Sequence, residues 1–335
     1  MQIVEAGREE IERLLRLAHA VRGGGMTLAD DVAFNLAQIE SPWGRRNLRV
    51  LIGRGGRGEI LGSLKLYALR AALGGRELRA AGVGALFTPV ETGGRGHAAR
   101  LVESALERAR ADGCALALAV SETGTAPYEP LGFKALPATE AACVVRMPAP
   151  WPKEPAWVAA RDPFAVVEGL RPGRLSDLDA LVSIHDATIA GQRLRLLRDR
   201  AAWDQALLKI DPGRRLGKDG EDLFRVVERA GRVIAYLFLE GSPGSLRWRE
   251  HGALPGADDA LVALFWSALA RARRDGTERI EGWFLPTAVT DGPLYPVARR
   301  ARATPAVMAL ALDPALKLPR FAREDECRFW DLDGF

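Results

Sequence analysis

Apolar side chains recur every three or four positions in three parts of the first half of the chain. This spacing, seen at residues 9–21, 29–39 and 98–111, is typical of amphipathic helices that bury one face. A fourth, short helix is predicted around Tyr128. The first half is therefore predicted to begin with two helices and to carry a strong helix near its middle.

Runs rich in β-branched and aliphatic residues separate these helices. Two of the runs flank the glycine-rich turn at 55–58, which predicts a hairpin. The predicted strands lie near Ile3 and at 49–54, 59–67, 77–87, 115–120 and 141–147. Strands and helices arranged in this order predict an α+β layer structure.

The second half repeats parts of the first. Residues 104–113 match residues 267–276 at all but two positions, and the apolar positions of helix 11–17 recur at 178–184 with a similar offset. Helices rich in Arg and Ala also resemble one another through composition. The two similar offsets nevertheless predict a duplicated domain.

Prolines crowd the stretch between residues 137 and 163. Such a density prevents a regular helix and marks a connector. We therefore predict a first domain at 1–147, a proline-rich linker at 148–165 and a second domain at 166–335.

The composition is that of an ordinary globular protein, with 335 residues, 48% apolar and 27% charged, and a net charge of +4. The longest aliphatic run, 114–120, is far shorter than the ~20 residues that span a bilayer, and the acidic N-terminal stretch is unlike a signal peptide. The sequence thus predicts a cytoplasmic protein without a membrane partner.

Three scattered cysteines predict neither a disulfide framework nor a metal site. The basic residues are not clustered with aromatics as nucleic-acid binding requires.

A glycine-rich segment, residues 92–98 (TGGRGHA), stands between a predicted strand and a predicted helix. Backbone N–H groups at a helix N-terminus bind anions, and glycine lets a ligand approach them closely. A dinucleotide-binding fingerprint is disfavoured because several strands precede the loop, and a P-loop is disfavoured because no Lys-Ser/Thr follows it. A plain connecting turn remains the alternative.

Together with its surroundings, this loop resembles the GNAT superfamily of acyl-CoA-dependent N-acyltransferases. The resemblance rests on four segments: 86–89 (LFTP), 93–98 (GGRGHA), 101–102 (LV) and 128–133 (YEPLGF). It implies two α+β domains, each a mixed, mostly antiparallel sheet flanked by helices. The departures are a glycine, Gly93, at the first position of the family's loop signature and one extra residue after Pro89.

The resemblance also implies a binding site for acetyl-CoA as acyl donor. The residues implied to contact the pyrophosphate are Gly93, Gly94, Arg95, Gly96, His97 and Ala98. The backbone of Leu86, Phe87 and Thr88 is implied to contact the pantetheine arm.

Acyl transfer to an amine needs an acid for the departing thiolate and a base for the incoming ammonium. Tyr128 stands where the superfamily often carries the acid, although a buried aromatic side chain is the plainer interpretation. Glu122 is our first choice of base, and Glu77, Glu91 and His97 are alternatives.

The pair 121–122 also resembles the enhanced-intracellular-survival aminoglycoside acetyltransferases, which join an active GNAT domain to a degenerate one. In that family the C-terminal carboxylate serves as a base, which makes Phe335 a further candidate.

The matching loop of the second half, residues 254–260 (LPGADDA), carries two acids at the helix start. These charges favour the helix but repel phosphate, and Tyr295 lacks the Gly-Phe sequence that follows Tyr128. We predict a degenerate domain that binds no cofactor and shapes the acceptor cleft. Trp266, Trp283 and Phe284 are predicted core residues first and cleft residues second.

The function predicted from the sequence is acetyl-CoA-dependent N-acetylation of a primary amine by direct transfer, without a metal. A noncatalytic acyl-CoA-binding or regulatory module is the alternative, and a nucleic-acid binder is a distant third. The acceptor amine, the acyl-chain preference and the oligomeric state stay open.

Overall fold

The chain forms two mixed β-sheets with helices packed against them. The computed structural model describes residues 1–23, 26–145, 154–159, 166–210, 223–242, 244–290, 292–294 and 297–333. Both sheets are mostly antiparallel, as predicted for this α+β class.

The helices predicted at 9–21, 29–39 and 98–111 are confirmed. The described α-helices are α1 Arg8–Arg22, α2 Leu28–Glu40, α3 Gly44–Asn47, α4 His97–Ala111, α5 Leu178–Ile189, α6 Arg200–Ile210, α7 Asp258–Arg274 and α8 Thr287–Thr290. Thr27 caps α2 by accepting a hydrogen bond from the Asp30 amide at 3.2 Å. Within the described ranges, none of the helices combines the length and apolar character needed to cross a membrane.

The first sheet has the strand order β1-β2-β3-β4-β5-β15-β6, and β9 pairs with the end of β3. Its strands are β1 Gln2–Glu5, β2 Leu48–Arg54, β3 Ile60–Leu73, β4 Arg76–Phe87, β5 Leu116–Ser121, β6 Lys134–Ala135, β9 Leu194–Leu196 and β15 Ala306–Ala311. Only the β4–β5 pair of this sheet is parallel among the residues that the structure describes. Helix α4 covers one face and buries Leu101, Val102, Ala105 and Leu106.

The second sheet has the order β14-β7-β13-β12-β11-β10-β8, with β12 and β13 parallel. Its strands are β7 Thr139–Val144, β8 Leu170–Pro172, β10 Phe224–Arg229, β11 Arg232–Ser242, β12 Ser245–Ala253, β13 Arg279–Trp283 and β14 Ala298–Ala301. Helix α7 covers this sheet as α4 covers the first. Trp266, Trp283 and Phe284 are buried, which confirms them as core residues.

The two sheets exchange a strand. The segment predicted as the last strand of the first half, 141–147, lies mainly in β7, and β7 pairs with β13 and β14 of the second sheet. In return, β15 from the end of the chain pairs with β5 and β6 of the first sheet. The alternation of apolar positions predicts a strand but not its partner, so the sequence pattern grouped β7 with its neighbours along the chain.

The predicted boundaries 1–147, 148–165 and 166–335 therefore do not coincide with the sheets, and the division stays a prediction. Most of the predicted linker lies outside the described residues. Of that linker, residues 154–159 are described, and they include a short 3-10 helix at Ala156–Ala159.

A buried ionic cluster ties the end of the chain to the second sheet. Arg198 donates hydrogen bonds to Glu250 at 2.8 Å and to Asp333 at 2.8 Å, and Tyr236 donates to Glu250 at 2.8 Å. Burial alone raises the pKa of Glu250, but Arg198 and His185 outweigh it, so the pKa of this carboxyl lies below its ordinary value. The paired charges are thus stabilising only while Glu250 is ionised.

We predict that Glu250→Gln destabilises the fold by about 3–5 kcal/mol, because it leaves a buried guanidinium without one of its two carboxylates. Urea unfolding followed by circular dichroism measures this loss. In the wild type, the contribution of Glu250 is present above the ordinary carboxyl pKa and disappears as the pH falls through the lowered pKa.

The matched control is Asp259→Asn, which breaks an exposed pair with Arg229. We expect its effect to stay within about 1 kcal/mol. Equal effects of the two substitutions would contradict the assignment of a stabilising role to the buried cluster.

Candidate active site

The parallel strands β4 and β5 separate partway along their length. They pair from Ala80 and Leu116 to Val83 and Ala119, and each then continues without the other. On the other side of β4, Lys65 lies opposite Gly84 whereas Ser63 lies opposite Phe87, which places a β-bulge between these pairs. Ala85 in this bulge has a positive φ of 50°. The result is a V-shaped gap between the ends of β4 and β5.

The glycine loop follows β4 and leads directly into α4. Gly94 and Gly96 have φ values of 74° and 75°, a left-handed conformation that glycine adopts without strain, and Gly96 is the N-cap of α4. A Cβ atom added at either position would meet no atom within 4 Å. The space over the loop is therefore open to a ligand.

The charges around this loop suit an anion. The first turn of α4 carries no acidic residue, and Arg95 is exposed on the loop. The Nδ1 atom of His97 is buried and has no hydrogen-bond partner among the described residues. Unpaired donors at a helix N-terminus form an anion site, so residues 93–98 fit a pyrophosphate.

A cleft of about 580 Å³ lies at the V-shaped gap and reaches the second half of the chain. Its volume falls within the range of small-molecule sites, roughly 300–1,000 Å³. Leu86, Glu122 and Tyr128 all line it, so the structure brings these predicted site residues together. Phe87, the last residue of β4, has a buried side chain, and Thr88 follows directly after the strand.

The alternative bases lie elsewhere. Glu77 stands near the other end of β4, nine residues from Leu86 and so about 30 Å away along an extended strand, and it pairs with Arg70 at 2.9 Å. Glu91 is exposed beside the glycine loop, and His97 begins α4. Neither of these two side chains lines the cleft as the structure describes it. Among the predicted candidate bases in the described residues, Glu122 is the one in the cleft.

Tyr128 is buried between the cleft and the core of the first sheet, with 2% of its surface exposed. Its ring makes an edge-to-face contact with Phe133, with ring centroids 5.5 Å apart. Burial raises the pKa of Tyr128 to about 12, although the positive charge of Arg22 acts in the opposite direction. The hydroxyl is thus protonated at neutral pH and available as a proton donor.

Arg22, the last residue of α1, is a site residue that the sequence did not indicate. Its guanidinium donates a hydrogen bond to the carbonyl of Leu86 and lies close enough to Glu122 and Tyr128 to interact with their charges. Although much of the side chain faces the open cleft, partial burial lowers the pKa of Arg22 below its ordinary value. Basic residues are common at helix C-termini because they interact favourably with the helix dipole. The position of Arg22 in the sequence therefore does not indicate a role in the site.

Two lysines were also missed. Lys65 on β3 donates a hydrogen bond to Asn35 Oδ1 at 2.8 Å, and Lys209 on α6 lines the same cleft from the second half. Burial lowers the pKa of Lys65 to about 8 and that of Lys209 to about 7, with smaller contributions from neighbouring cations. No motif marks these residues, because their meeting depends on tertiary structure.

The corresponding loop of the second half differs in charge. Asp258 and Asp259 occupy the first turn of α7, and Asp259 pairs with Arg229. A phosphate brought to these amides would meet two carboxylates. Tyr295 and Phe335, the other predicted features of this half, lie outside the described residues. Among the residues described, no group of three or more His, Cys, Asp or Glu side chains is placed to hold a metal ion.

Comparison with known proteins agrees with this geometry. Residues 5–136 match the family model of an acetyltransferase (GNAT) domain. No curated protein sequence matches the chain. Residues 5–136 are therefore a GNAT acetyltransferase domain, which is the domain of an acyltransferase.

Solved structures show the same fold at low sequence identity. A probable N-acyltransferase from Enterococcus faecalis V583 has a TM-score of 0.67 and 13% identity, over 93% of this chain and 72% of that chain. A GCN5-related N-acetyltransferase from Anabaena variabilis ATCC 29413 has a TM-score of 0.65 and 15% identity over the same shares, 93% and 72%. The N-myristoyltransferase of Saccharomyces cerevisiae has a TM-score of 0.56 and 11% identity, over 92% and 77%. These matches extend across both sheets.

We predict that Arg22→Met lowers kcat by roughly tenfold, less than the 10²- to 10⁴-fold expected for loss of a general acid. The substitution removes the positive charge that acts against the raised pKa of Tyr128. It also removes the hydrogen bond that Arg22 donates to the Leu86 carbonyl. Free-thiol release from acetyl-CoA with a panel of primary amines measures the effect.

Two variants control this test. Arg22→Lys keeps the charge and is expected to restore part of the rate, and Arg16→Met removes an exposed arginine from the same helix. If Arg16→Met slowed turnover as much as Arg22→Met, the effect would come from the helix and not from the cleft.

Proposed function

We propose that the protein is an acetyl-CoA-dependent N-acetyltransferase that moves the acetyl group directly to a primary amine. One observation carries this proposal: β4 separates from β5 after Val83, its residue Leu86 lines the same cleft as Tyr128, and the open glycine loop follows β4 and leads into α4. In this proposal the pyrophosphate lies on the loop, the extended arm lies along the end of β4, and the thioester lies near the protonated Tyr128.

The donor is held mainly by backbone groups. The amides of residues 94–98 hold the pyrophosphate, since the Gly93 amide already donates to the Val90 carbonyl at 3.1 Å, and the backbone of Leu86, Phe87 and Thr88 lies along the pantetheine arm. Once bound, the donor supplies an acyl group activated as a thioester. Because amide contacts do not depend on side-chain identity, Gly93 in place of the usual first residue of the signature is tolerated.

Tyr128 donates a proton to the leaving thiolate of CoA, which departs as the free thiol. A thiol with a pKa of ~8.5 is a stronger acid than a tyrosine at about 12, so this transfer is unfavourable unless the cleft assists it. Arg22 lies where its positive charge favours the ionised tyrosine. Arg22 is therefore a positioning and tuning residue for the acid.

Glu122 accepts the proton that the ammonium of the acceptor loses. It is exposed at the end of β5 and lies in the same cleft as Tyr128. A covalent acyl-enzyme would need a reactive thiolate near the acceptor. Cys114 instead precedes β5 at the end remote from the cleft, and burial raises its pKa. These positions favour direct transfer.

The second half forms the far wall of the acceptor cleft. Lys209, Glu240, Arg249 and Trp283 line the cleft opposite the donor side. Together with the two aspartates at the start of α7, this arrangement supports a degenerate domain that shapes the acceptor site and binds no second donor.

We predict that Tyr128→Phe lowers kcat by about 10²- to 10⁴-fold, the usual contribution of a general acid, with little change in CoA affinity. Steady-state kinetics and isothermal calorimetry with CoA separate the two quantities. Turnover equal to the wild type at saturating substrates would remove Tyr128 from the mechanism. A wild type that binds CoA but releases no thiol with any amine would favour the noncatalytic module.

We predict that Gly96→Ala weakens acetyl-CoA binding, because alanine is strained at a φ of 75° and the amides of the loop shift. Calorimetry is expected to show roughly a fivefold or larger rise in Kd for a strain of about 1–3 kcal/mol. Gly58→Ala is the control, since Gly58 has a φ of 79° and equally open space but lies in the hairpin turn between β2 and β3. Equal affinities of the two variants would argue against the loop as the pyrophosphate site.

A further inference from the structure

A second cavity lies behind β4, on the side covered by α1 and α2. Its volume is about 190 Å³, and its walls are mainly apolar. They are formed by Leu14, Leu15 and Ala18 of α1, Phe34 of α2, Val50 of β2 and Phe87 of β4. Apolar cavities of comparable size stay dry and bind apolar ligands.

This cavity opens into the acceptor cleft at the bulge of β4. Arg22, Phe34, Asn35, Lys65 and Ala85 line both spaces. The passage therefore lies next to Leu86, where the donor strand leaves its ladder and where the end of the pantetheine arm is placed in the proposed function.

Polar groups lie at the rim of the cavity and bond to one another. Asp31 pairs with His19 at 2.9 Å and accepts a hydrogen bond from Asn35 Nδ2 at 2.8 Å, and Lys65 donates to Asn35 Oδ1 at 2.8 Å. These rim groups are hydrogen-bonded to one another. An apolar chain that passes them therefore does not desolvate an unpaired charge.

We propose that this cavity receives the acyl chain of the donor, so that the enzyme also transfers acyl groups longer than acetyl. The inference rests on the proposed donor site and concerns only the chain beyond the thioester carbon. The space equals roughly six water volumes of about 30 Å³ each, which suits chains of about six to eight carbons.

The acyl chain in the cavity is that of the acyl-CoA donor and not that of the amine, because β4 lines both the cavity and the cleft. Ala85 and Phe87 form part of the cavity wall, and Leu86 between them faces the cleft. Since neighbouring residues of a strand point to opposite faces, a thioester held along β4 has the cavity directly across the strand at the bulge.

The test compares donors of different chain length with a single amine acceptor. We expect kcat/KM for hexanoyl-CoA to equal or exceed that for acetyl-CoA in the wild type. Ala18→Phe fills the cavity and is expected to lower the hexanoyl-to-acetyl ratio by about tenfold or more, in line with the discrimination that a pocket achieves per methylene. Leu17→Phe, at an exposed position on the same helix, is expected to leave the ratio unchanged.

Ala18→Leu serves if the phenylalanine variant does not fold, and calorimetry with hexanoyl-CoA, acetyl-CoA and CoA supplies a readout that needs no acceptor. A wild type that uses acetyl-CoA but neither butyryl- nor hexanoyl-CoA overturns the inference and leaves the proposed function intact. So does a ratio unchanged by filling the cavity. If no CoA thioester binds at all, both proposals fall.

Discussion

Parallel strands that separate leave backbone N–H and C=O groups without partners in the sheet, and such groups are costly unless something else binds them. In this protein β4 and β5 separate after Val83 and Ala119, and the rest of the site depends on that separation. Arg22 reaches across from α1 to bond one exposed carbonyl, that of Leu86. In the proposed function, other groups at the edge of β4 bind the extended, amide-bearing arm of the donor. The bulge at Ala85 turns the strand at the same point, so the gap is built into the fold before any substrate binds.

Both halves of the chain line the cleft at this gap. The sheet supplies one wall of the cleft, and α6 together with β11 and β12 of the second half supplies the other through Lys209, Glu240 and Arg249. The second wall is held by the buried cluster around Arg198, which is bonded to both Glu250 and Asp333. In the proposed function, this second wall belongs to a degenerate domain that binds no donor and shapes the acceptor site.

Sequence patterns predicted the parts of the molecule that are set by local physics. The helices α1, α2 and α4 follow from apolar spacing, and the loop at Gly94 and Gly96 follows from the conformations that only glycine adopts easily. The cleft positions of Tyr128 and Glu122 follow from their places after β5. Arg22, Lys65 and Lys209 could not be found in this way, because each belongs to a different element and becomes significant only when three elements meet. Glu77 shows the converse case: it was considered as a base because it lies on β4, but it lies at the end of β4 that is remote from the cleft.

Strand exchange gives the chain an unusual order of assembly. During synthesis, residues 1–121 can form β1 to β5 and their helices, yet β15, which pairs with both β5 and β6, can be added only after residues 306–311 leave the ribosome. Until then β5 presents an unpaired edge, which is a template for pairing with another chain. The same edge means that neither half is a self-sufficient unit, and a gene fragment ending near residue 147 would encode a sheet with a missing strand. The fold thus joins the two halves by exchanged strands, and the first sheet is complete only when β15 is inserted.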